Sequence, residues 1–268
     1  YELPERGFLD QTLADNTAAQ FLSWRRRVRI AWGIARGLRY IHRALGSGVL
    51  HRDVRSSNVA LDENFNAKLI DAGAALLLKK THLMEAEGEA NNDNHNGEEE
   101  HDFQPLFGSA AHSCSHYLRT GVYDEQAEVY AFGVILLELL TGRLNNRSHL
   151  LVRTLADLES VGEAYSDGED SPASLEEVLD ERPGECPPQL AHGMCSLARR
   201  TLIEAAPSRR PTLDQIAQEL QDLYTAACAK NTVAAFGEPD RAEAQREQKR
   251  LKQELEAQAQ KAKEEEEE

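Results

Sequence analysis

The chain is short of cysteine and has no long apolar run, and each shortage narrows what it can be. Its four thiols among 268 residues, Cys114, Cys186, Cys195 and Cys228, form no C-x-x-C pair. Scattered thiols exclude a disulfide framework and a clustered zinc site, and read as reduced residues of an intracellular protein. The longest apolar stretch, Phe132 to Leu140, is broken by Glu138 and falls short of the ~20 residues that span a bilayer. No internal repeat is visible. No charged-then-apolar leader opens the chain, whose first residue is Tyr1 rather than Met, so it reads as a piece of a longer one. Basic residues are missing from 85–102, which hold eight acids, and from 157–181, which hold ten; five glutamates follow at 264–268. These segments carry half of the 46 acids and explain a net charge of −16, because the remainder is mildly basic. The acidity argues against nucleic acid as a generic partner, while the basic body leaves room for an anionic ligand such as a nucleotide phosphate. At ~100–200 residues per domain, the length allows one large domain or two small ones, with a real core.

Periodicity then organises the chain. Val28, Ala31, Ile34, Leu38, Ile41 and Leu45 step by three and four, which predicts a helix over 23–45 with Ser23 as N-cap and Gly46-Ser47-Gly48 as its end. Arg25, Arg26, Arg29, Arg36, Arg39 and Arg43 fill its other side, and are expected to form a solvated face. Strand-like pieces follow at Val49-Leu50, Val59-Ala60-Leu61 and Ala67-Lys68-Leu69-Ile70. Residues 81–107, acidic and rich in Asn, read as a mobile loop. Val129–Thr141 is apolar nearly all round, as in a helix buried in the middle of a domain. After the polar stretch 157–186, helices are expected over about 190–204 and 212–228. Beyond Pro239 the composition turns to Glu, Gln, Lys, Arg and Ala, with i,i+4 pairs such as Arg246–Arg250 and Arg250–Glu254, a charged helix with too few apolar residues for a coiled-coil seam.

The chemistry is concentrated in His51-Arg52-Asp53-Val54-Arg55-Ser56-Ser57-Asn58, followed by Asp71-Ala72-Gly73. A carboxylate, an amide five residues on and a second carboxylate beyond a hairpin-length gap suit Mg-assisted phosphoryl transfer. One acid accepts a proton from the nucleophile, while the amide and the other acid hold hard cations through oxygen. His51 reads as a core histidine bracing the loop. His112-x-Cys114-x-His116 with His101 lacks the spacing of a structural zinc site.

With these residues in view, the sequence resembles the protein kinases, and among them the plant receptor-like kinases and their kin, the animal interleukin-receptor-associated kinases. The match runs through residue 226. It rests also on Tyr1-Glu2 with Gly7-Phe8-Leu9, on Leu22-Ser23-Trp24, on Ile34-Ala35-Arg36-Gly37-Leu38-Arg39-Tyr40-Ile41-His42, on Glu128–Arg143 and on Arg210-Pro211-Thr212. The resemblance implies that Asp53 is the catalytic base and that Asn58 and Asp71 bind the Mg²⁺ ions that bridge the ATP phosphates. It puts Arg55 in the place of the catalytic-loop lysine, with its charge but not its compact ammonium. It also implies that Arg52 pairs with a phosphorylated residue of the activation segment, for which Ser109, Ser113, Ser115 and Thr120 are candidates.

Departures from the family pattern are as specific as the matches. Ala72 replaces the Phe of D-F-G. Cys114-Ser115-His116 falls where the family has Ala-Pro-Glu, so Arg210 loses the glutamate it would pair with. Glu128 replaces an Asp that anchors the catalytic loop, one methylene too long. No glycine-rich loop, strand lysine or helix glutamate precedes the hinge. The expected fold is therefore mainly α, a protein-kinase-like C-terminal lobe with a small β-hairpin at the catalytic loop and no N-lobe. Residues 1–228 make the lobe, 81–107 its acidic activation-segment insert, and 229–268 a charged helical or disordered tail. Two functions stay open: a Ser/Thr kinase that transfers the ATP γ-phosphate to a protein when joined to its N-lobe, and an inactive pseudokinase scaffold. Expected cofactors are ATP and Mg. Expected partners are a protein substrate or signalling partner and a basic partner for the acidic insert, with no nucleic acid and no membrane segment. The expected place is the cytoplasm or the cytoplasmic side of a membrane receptor.

Overall fold

A computed structural model describes residues 4–44, 49–72, 108–145 and 179–229. The acidic segment 81–107, most of 157–186, the tail beyond 229 and the Tyr1-Glu2 pair lie outside them. The first elements are two short helices, α1 (Leu9–Ala14) and α2 (Asn16–Ala19). Both are too short to leave an apolar periodicity in the sequence. Asp15 separates them and caps α2, its carboxylate accepting from the N–H groups of Thr17 at 2.7 Å and Ala18 at 3.3 Å.

Helix α3 (Trp24–Ala44) follows the predicted span, with the Ser23 hydroxyl accepting from Arg26 N at 3.4 Å. Strands β1 (Val59–Leu61) and β2 (Ala67–Leu69) pair antiparallel, Val59 opposite Leu69 and Leu61 opposite Ala67. Asp62 builds their turn by accepting from Asn64 N at 2.9 Å and Asn66 N at 2.8 Å, with Phe65 in the left-handed region between. Val49-Leu50 is buried but joins no strand; β1 instead meets Phe8 in an isolated bridge.

Helix α4 (Ser115–Thr120) leads into α5 (Glu125–Thr141), which starts a turn before the apolar run because Asp124 caps it through Ala127 N at 2.9 Å. Every residue of α5 from Ala127 to Leu140 is buried, as its all-round apolar character predicts. Helices α6 (Pro188–Thr201) and α7 (Leu213–Ala229) close the lobe, α6 packed on α5 and α7 on α3. Pro188 begins α6, where a missing N–H costs nothing. Thr212 and Gln215 cap α7 reciprocally: Thr212 N donates to Gln215 Oε1 at 2.9 Å and Gln215 N to Thr212 Oγ1 at 3.3 Å. Trp32 of α3 stacks on Tyr224 of α7 with ring centroids 5.8 Å apart.

The arginine face of α3 departs from expectation in its first half only; further on, Arg36 and Arg43 are exposed and Arg43 pairs with Asp214 at 2.7 Å. Arg25 and Arg29 are buried, and Arg27 is wholly so. The helix lies between neighbours on most sides, so its arginine stems pack along apolar surface while the guanidinium groups reach carbonyls and acids. Arg26 donates to Phe21 O at 2.8 Å and lies over the Phe65 ring, and Arg29 donates to Asn64 O. Arg27 donates to Leu22 O at 2.9 Å, to Leu139 O at 2.5 Å and to Asp180. Asp180, counted in an acidic stretch that composition reads as solvated, is correspondingly buried. Arg182 completes the group, reaching Asp180 Oδ1 at 2.8 Å, Leu13 O at 2.8 Å and Gly142 O at 2.7 Å. Gly142, the left-handed C-cap of α5 at φ +65°, is required there, since a Cβ would run into Asp180 and Arg182. Burial pushes the Asp180 carboxyl up, but the bonds and charges of Arg182 and Arg27 outweigh it and hold the group below the ordinary carboxylate value.

A buried charge robbed of its partner is strongly destabilising. Asp180→Ala is expected to cost about 3–5 kcal/mol, read as a lower midpoint in urea unfolding followed by far-UV circular dichroism. A change within the ordinary scatter of a surface substitution would show that Arg27 finds another partner.

Candidate active site

The loop from Val49 to Asn58 carries the predicted residues, and its backbone is held from three directions. His51 is fully buried; its Nε2–H donates to Ile70 O at 2.9 Å while Nδ1 accepts from Asp53 N at 3.3 Å, which sets the tautomer. Ile70 N donates in turn to Asn58 O at 3.0 Å, so the hairpin and the loop are tied by their main chains. Arg52 is in the left-handed region at φ +68°, a costly conformation for a residue with a Cβ. Glu128 of α5 holds it there by accepting from Arg52 N at 2.7 Å.

Glu128 is longer than the residue the family pattern has at this place, yet it reaches the loop. Its second oxygen, Oε2, is 2.6 Å from His42 Nε2 on α3. The extra methylene is accommodated because the carboxylate sits between two elements rather than against one. His42 also has Glu125 Oε1 at 3.7 Å. Burial opposes its charged form, but the hydrogen bond and charge of Glu128, with Glu125, prevail and raise its pKa.

Asp53, Arg55 and Asn58 come together at the loop's end. Asn58 Nδ2 donates to Asp53 Oδ2 at 2.8 Å and to Asp53 O at 2.8 Å, and Arg55 Nε lies 3.2 Å from Oδ2. Asp53 Oδ1 is buried with no hydrogen-bond partner. Gly108 closes over it at φ +86°; a Cβ there would stand 2.8 Å from Arg52 O and 3.3 Å from Asp53 Oδ1. One carboxylate oxygen is thus fastened, and the other is enclosed beneath Gly108 without a hydrogen bond. Such an orphaned acceptor is expensive unless a ligand satisfies it.

Asp71 follows Ile70, whose N–H is bonded to Asn58 O. It is exposed and left-handed at φ +67°. Asn58 spends its N–H groups on Asp53, which leaves its amide oxygen as the atom that could hold a hard cation; the exposed Asp71 carboxylate could be a second ligand. Two oxygen ligands fit Mg²⁺, which takes few protein ligands and completes its shell with phosphate and water. Of the four hydroxyls named from the sequence, Ser113 is buried and donates to Ser109 O at 2.9 Å, and Ser109 is half-buried. Ser115 and Thr120 are exposed. Thr120 Oγ1 donates to His116 O at 2.8 Å, and Ser115 Oγ to Glu204 Oε2 at 2.7 Å. The Arg52 guanidinium lies over the Tyr123 ring, 5.8 Å from its centroid.

Arg210, left without its family partner, is not alone. It donates to Ile203 O at 2.9 Å and Gln126 O at 2.7 Å, and Glu204 Oε2 lies 3.7 Å from Nη2. Sequence reasoning missed His42 and Glu204. No spacing links them to their partners, which lie 86 and 89 residues away in the chain.

The family model for the protein kinase domain matches residues 1–221, and the chain belongs to the protein kinase family. Its curated relatives are plant receptor-like and related kinases. It is 33% identical over 231 residues to an LRR receptor-like serine/threonine-protein kinase of Oryza sativa subsp. japonica, covering 85% of this chain and 20% of that protein. It is 39% identical over 144 residues to a probable serine/threonine-protein kinase of Arabidopsis thaliana, covering 53% of this chain and 31% of the relative. The chain therefore spans a fifth to a third of the length of these relatives. Among solved structures, the pseudokinase domain of BIR2, described as an immune regulator of the RLK/Pelle family, matches with a TM-score of 0.63 and 25% identity, over 85% of this chain and 60% of that one. The fold is protein-kinase-like, mostly helical with a small two-stranded antiparallel sheet, as in a C-lobe.

The His42–Glu128 pair adds a pH dependence of known sign. Because the folded pKa of His42 lies above the ordinary 6.5, its contribution to stability is complete below that pH and is lost as pH rises through the folded value. Urea unfolding at a series of pH values should therefore show the advantage of wild type over His42→Gln shrinking from pH 6 to pH 9. A pH-independent difference would mean that the pair stays neutral.

Proposed function

We propose that the chain is the C-lobe of a receptor-like serine/threonine protein kinase that, joined to its nucleotide-binding lobe, phosphorylates a protein hydroxyl. The observation that carries this reading is the Asp53 carboxylate, anchored through Oδ2 by Asn58 with Oδ1 buried and unsatisfied. Asp53 orients the acceptor hydroxyl through its carboxylate and takes its proton. Arg55 keeps a positive charge beside that carboxylate, at the place of the family's lysine. The Asn58 amide oxygen and the Asp71 carboxylate would hold Mg²⁺. Mg-ATP, when bound, supplies the phosphoryl group and the cation charge that offsets its phosphates. In this reading the acceptor is a protein rather than nucleic acid, and the charge of the acidic insert would suit a basic partner. No helix among the described residues is long and apolar enough to cross a membrane. The proposed place is the cytoplasm, or the cytoplasmic side of a receptor.

A second reading, a pseudokinase scaffold, is favoured by a separate observation. Asp71 is exposed and is followed by Ala72, with no aromatic ring to pack and fix the turn. The likeness to the BIR2 pseudokinase domain supports the same reading.

The two readings part on γ-phosphate transfer from Mg-ATP by the longest available form of the protein. Asp53→Asn keeps the shape and removes the base, and is expected to lower transfer by about 10²-fold or more. Absence of transfer in the wild type, or transfer indifferent to the substitution, would leave the scaffold.

A further inference from the structure

A second polar cluster lies away from Asp53. Glu204, between α6 and the turn Pro207–Arg209, places its carboxylate where three elements meet. Ser115, at the start of α4, donates its N–H to Oε2 at 3.2 Å and its hydroxyl to the same oxygen at 2.7 Å. Tyr130 of α5 hydrogen-bonds the carboxylate as well. Arg210 lies beneath, its guanidinium 5.0 Å from the Tyr130 ring centroid and its Nη2 buried with no hydrogen bond, facing Glu204 at 3.7 Å. Two fastenings of the segment from Gly108 to Thr120 matter here, on either side of a middle where Asn145 Nδ2 donates to Ala111 O at 2.7 Å and His112 Nε2 lies 3.4 Å from Glu138 Oε1. At one, Gly108 lies against Arg52 and Asp53, too close for a side chain. At the other, Ser115 is tied to Glu204, with Cys114 and Tyr117 buried on either side of it.

We propose that Glu204 is a positioning residue: it clamps the segment Gly108–Thr120 in register with Asp53 and so sets where an acceptor protein lies. The reasoning is mechanical. This segment forms the wall nearest the free oxygen of Asp53, and its own contact there is a glycine with no side chain to hold it. Asn145 and Glu138 hold its middle at Ala111 and His112, and the polar fastening of its second half comes from Glu204, which Arg210 faces at 3.7 Å. The place where the family would put a glutamate for Arg210 is His116, so the charge has moved from the segment to the loop beneath it. Ser115 accordingly differs from the other hydroxyls considered as phosphate acceptors. Its O–H is spent on a carboxylate, and an added negative charge there opens the clamp rather than closing a new ion pair.

This rests on the kinase reading, and the test keeps the two apart. In the longest available form of the protein, Glu204→Ala, Glu204→Gln and Ser115→Asp are compared with wild type by amide hydrogen exchange and by transfer kinetics. Loss of charge-assisted bonds should speed exchange of the Ser115 amide about tenfold or more in Glu204→Ala and Ser115→Asp, with the core of α5 unchanged. KM for the acceptor protein should rise about fivefold or more while KM for ATP stays within about twofold. Glu204→Gln, whose amide oxygen still accepts from Ser115, should recover the protection and most of the acceptor KM. Unchanged exchange at Ser115 overturns the clamp, as does acceleration spread equally through α5, or KM values for ATP and acceptor that rise together. A wild-type chain that transfers nothing sinks the kinase reading alone, and the exchange measurement then decides the clamp.

Discussion

The carboxylate of Glu128 is the joint on which the site depends. It belongs to α5, the helix with buried residues all round, and it is itself wholly removed from water. A carboxylate there is tolerable only if both oxygens are satisfied, and each is spent on a different element. Oε1 takes the Arg52 amide and so stabilises a left-handed residue one position before Asp53. Oε2 takes His42 and ties α3 to the same helix. The loop that carries Asp53 is thus referred to the most rigid part of the lobe. Asp53 can then leave one oxygen unsatisfied without the loop collapsing around it.

The lobe handles its other buried charges by the same rule. Arg27 has no exposed surface, and its donors go to Leu22 O, Leu139 O and Asp180. Asp180 is shared with Arg182, which reaches the C-terminal end of α5 through Gly142 O. These contacts join α3, α5 and the stretch before α6 with directional bonds, where apolar packing alone would leave their relative positions adjustable. Arg210 shows what happens when the usual partner is gone: two carbonyls, an aromatic face and a neighbouring carboxylate take up a charge that cannot be shed.

Much of this was legible beforehand. Helix α3 follows its three–four step, and α5 follows from an apolar run broken only by Glu138, since continuous apolarity leaves no face for solvent. The grouping of Asp53, Arg55 and Asn58 follows from a spacing of five residues, short enough for local chain geometry to bring Asn58 Nδ2 to Asp53 Oδ2. What could not be read was which charges were buried. Arg25, Arg29 and Asp180 have the composition of a solvated face, and only the packing of neighbouring elements around them removes the water. The helices α1 and α2 escaped because they span fewer than two turns each.

By itself the sequence determined the long helices, the hairpin strands and the local chemistry. Helical periodicity, caps such as Thr212 with Gln215, the Asp62 turn and the loop motif all act within a few residues of one another. The tertiary structure alone decided who partners whom across the chain: Glu128 with His42 and Arg52, Arg27 with Asp180, and Glu204 with Ser115, Tyr130 and Arg210. Those choices depend on distance and on the exclusion of water, and neither is a property of any stretch of sequence until the lobe has closed around it.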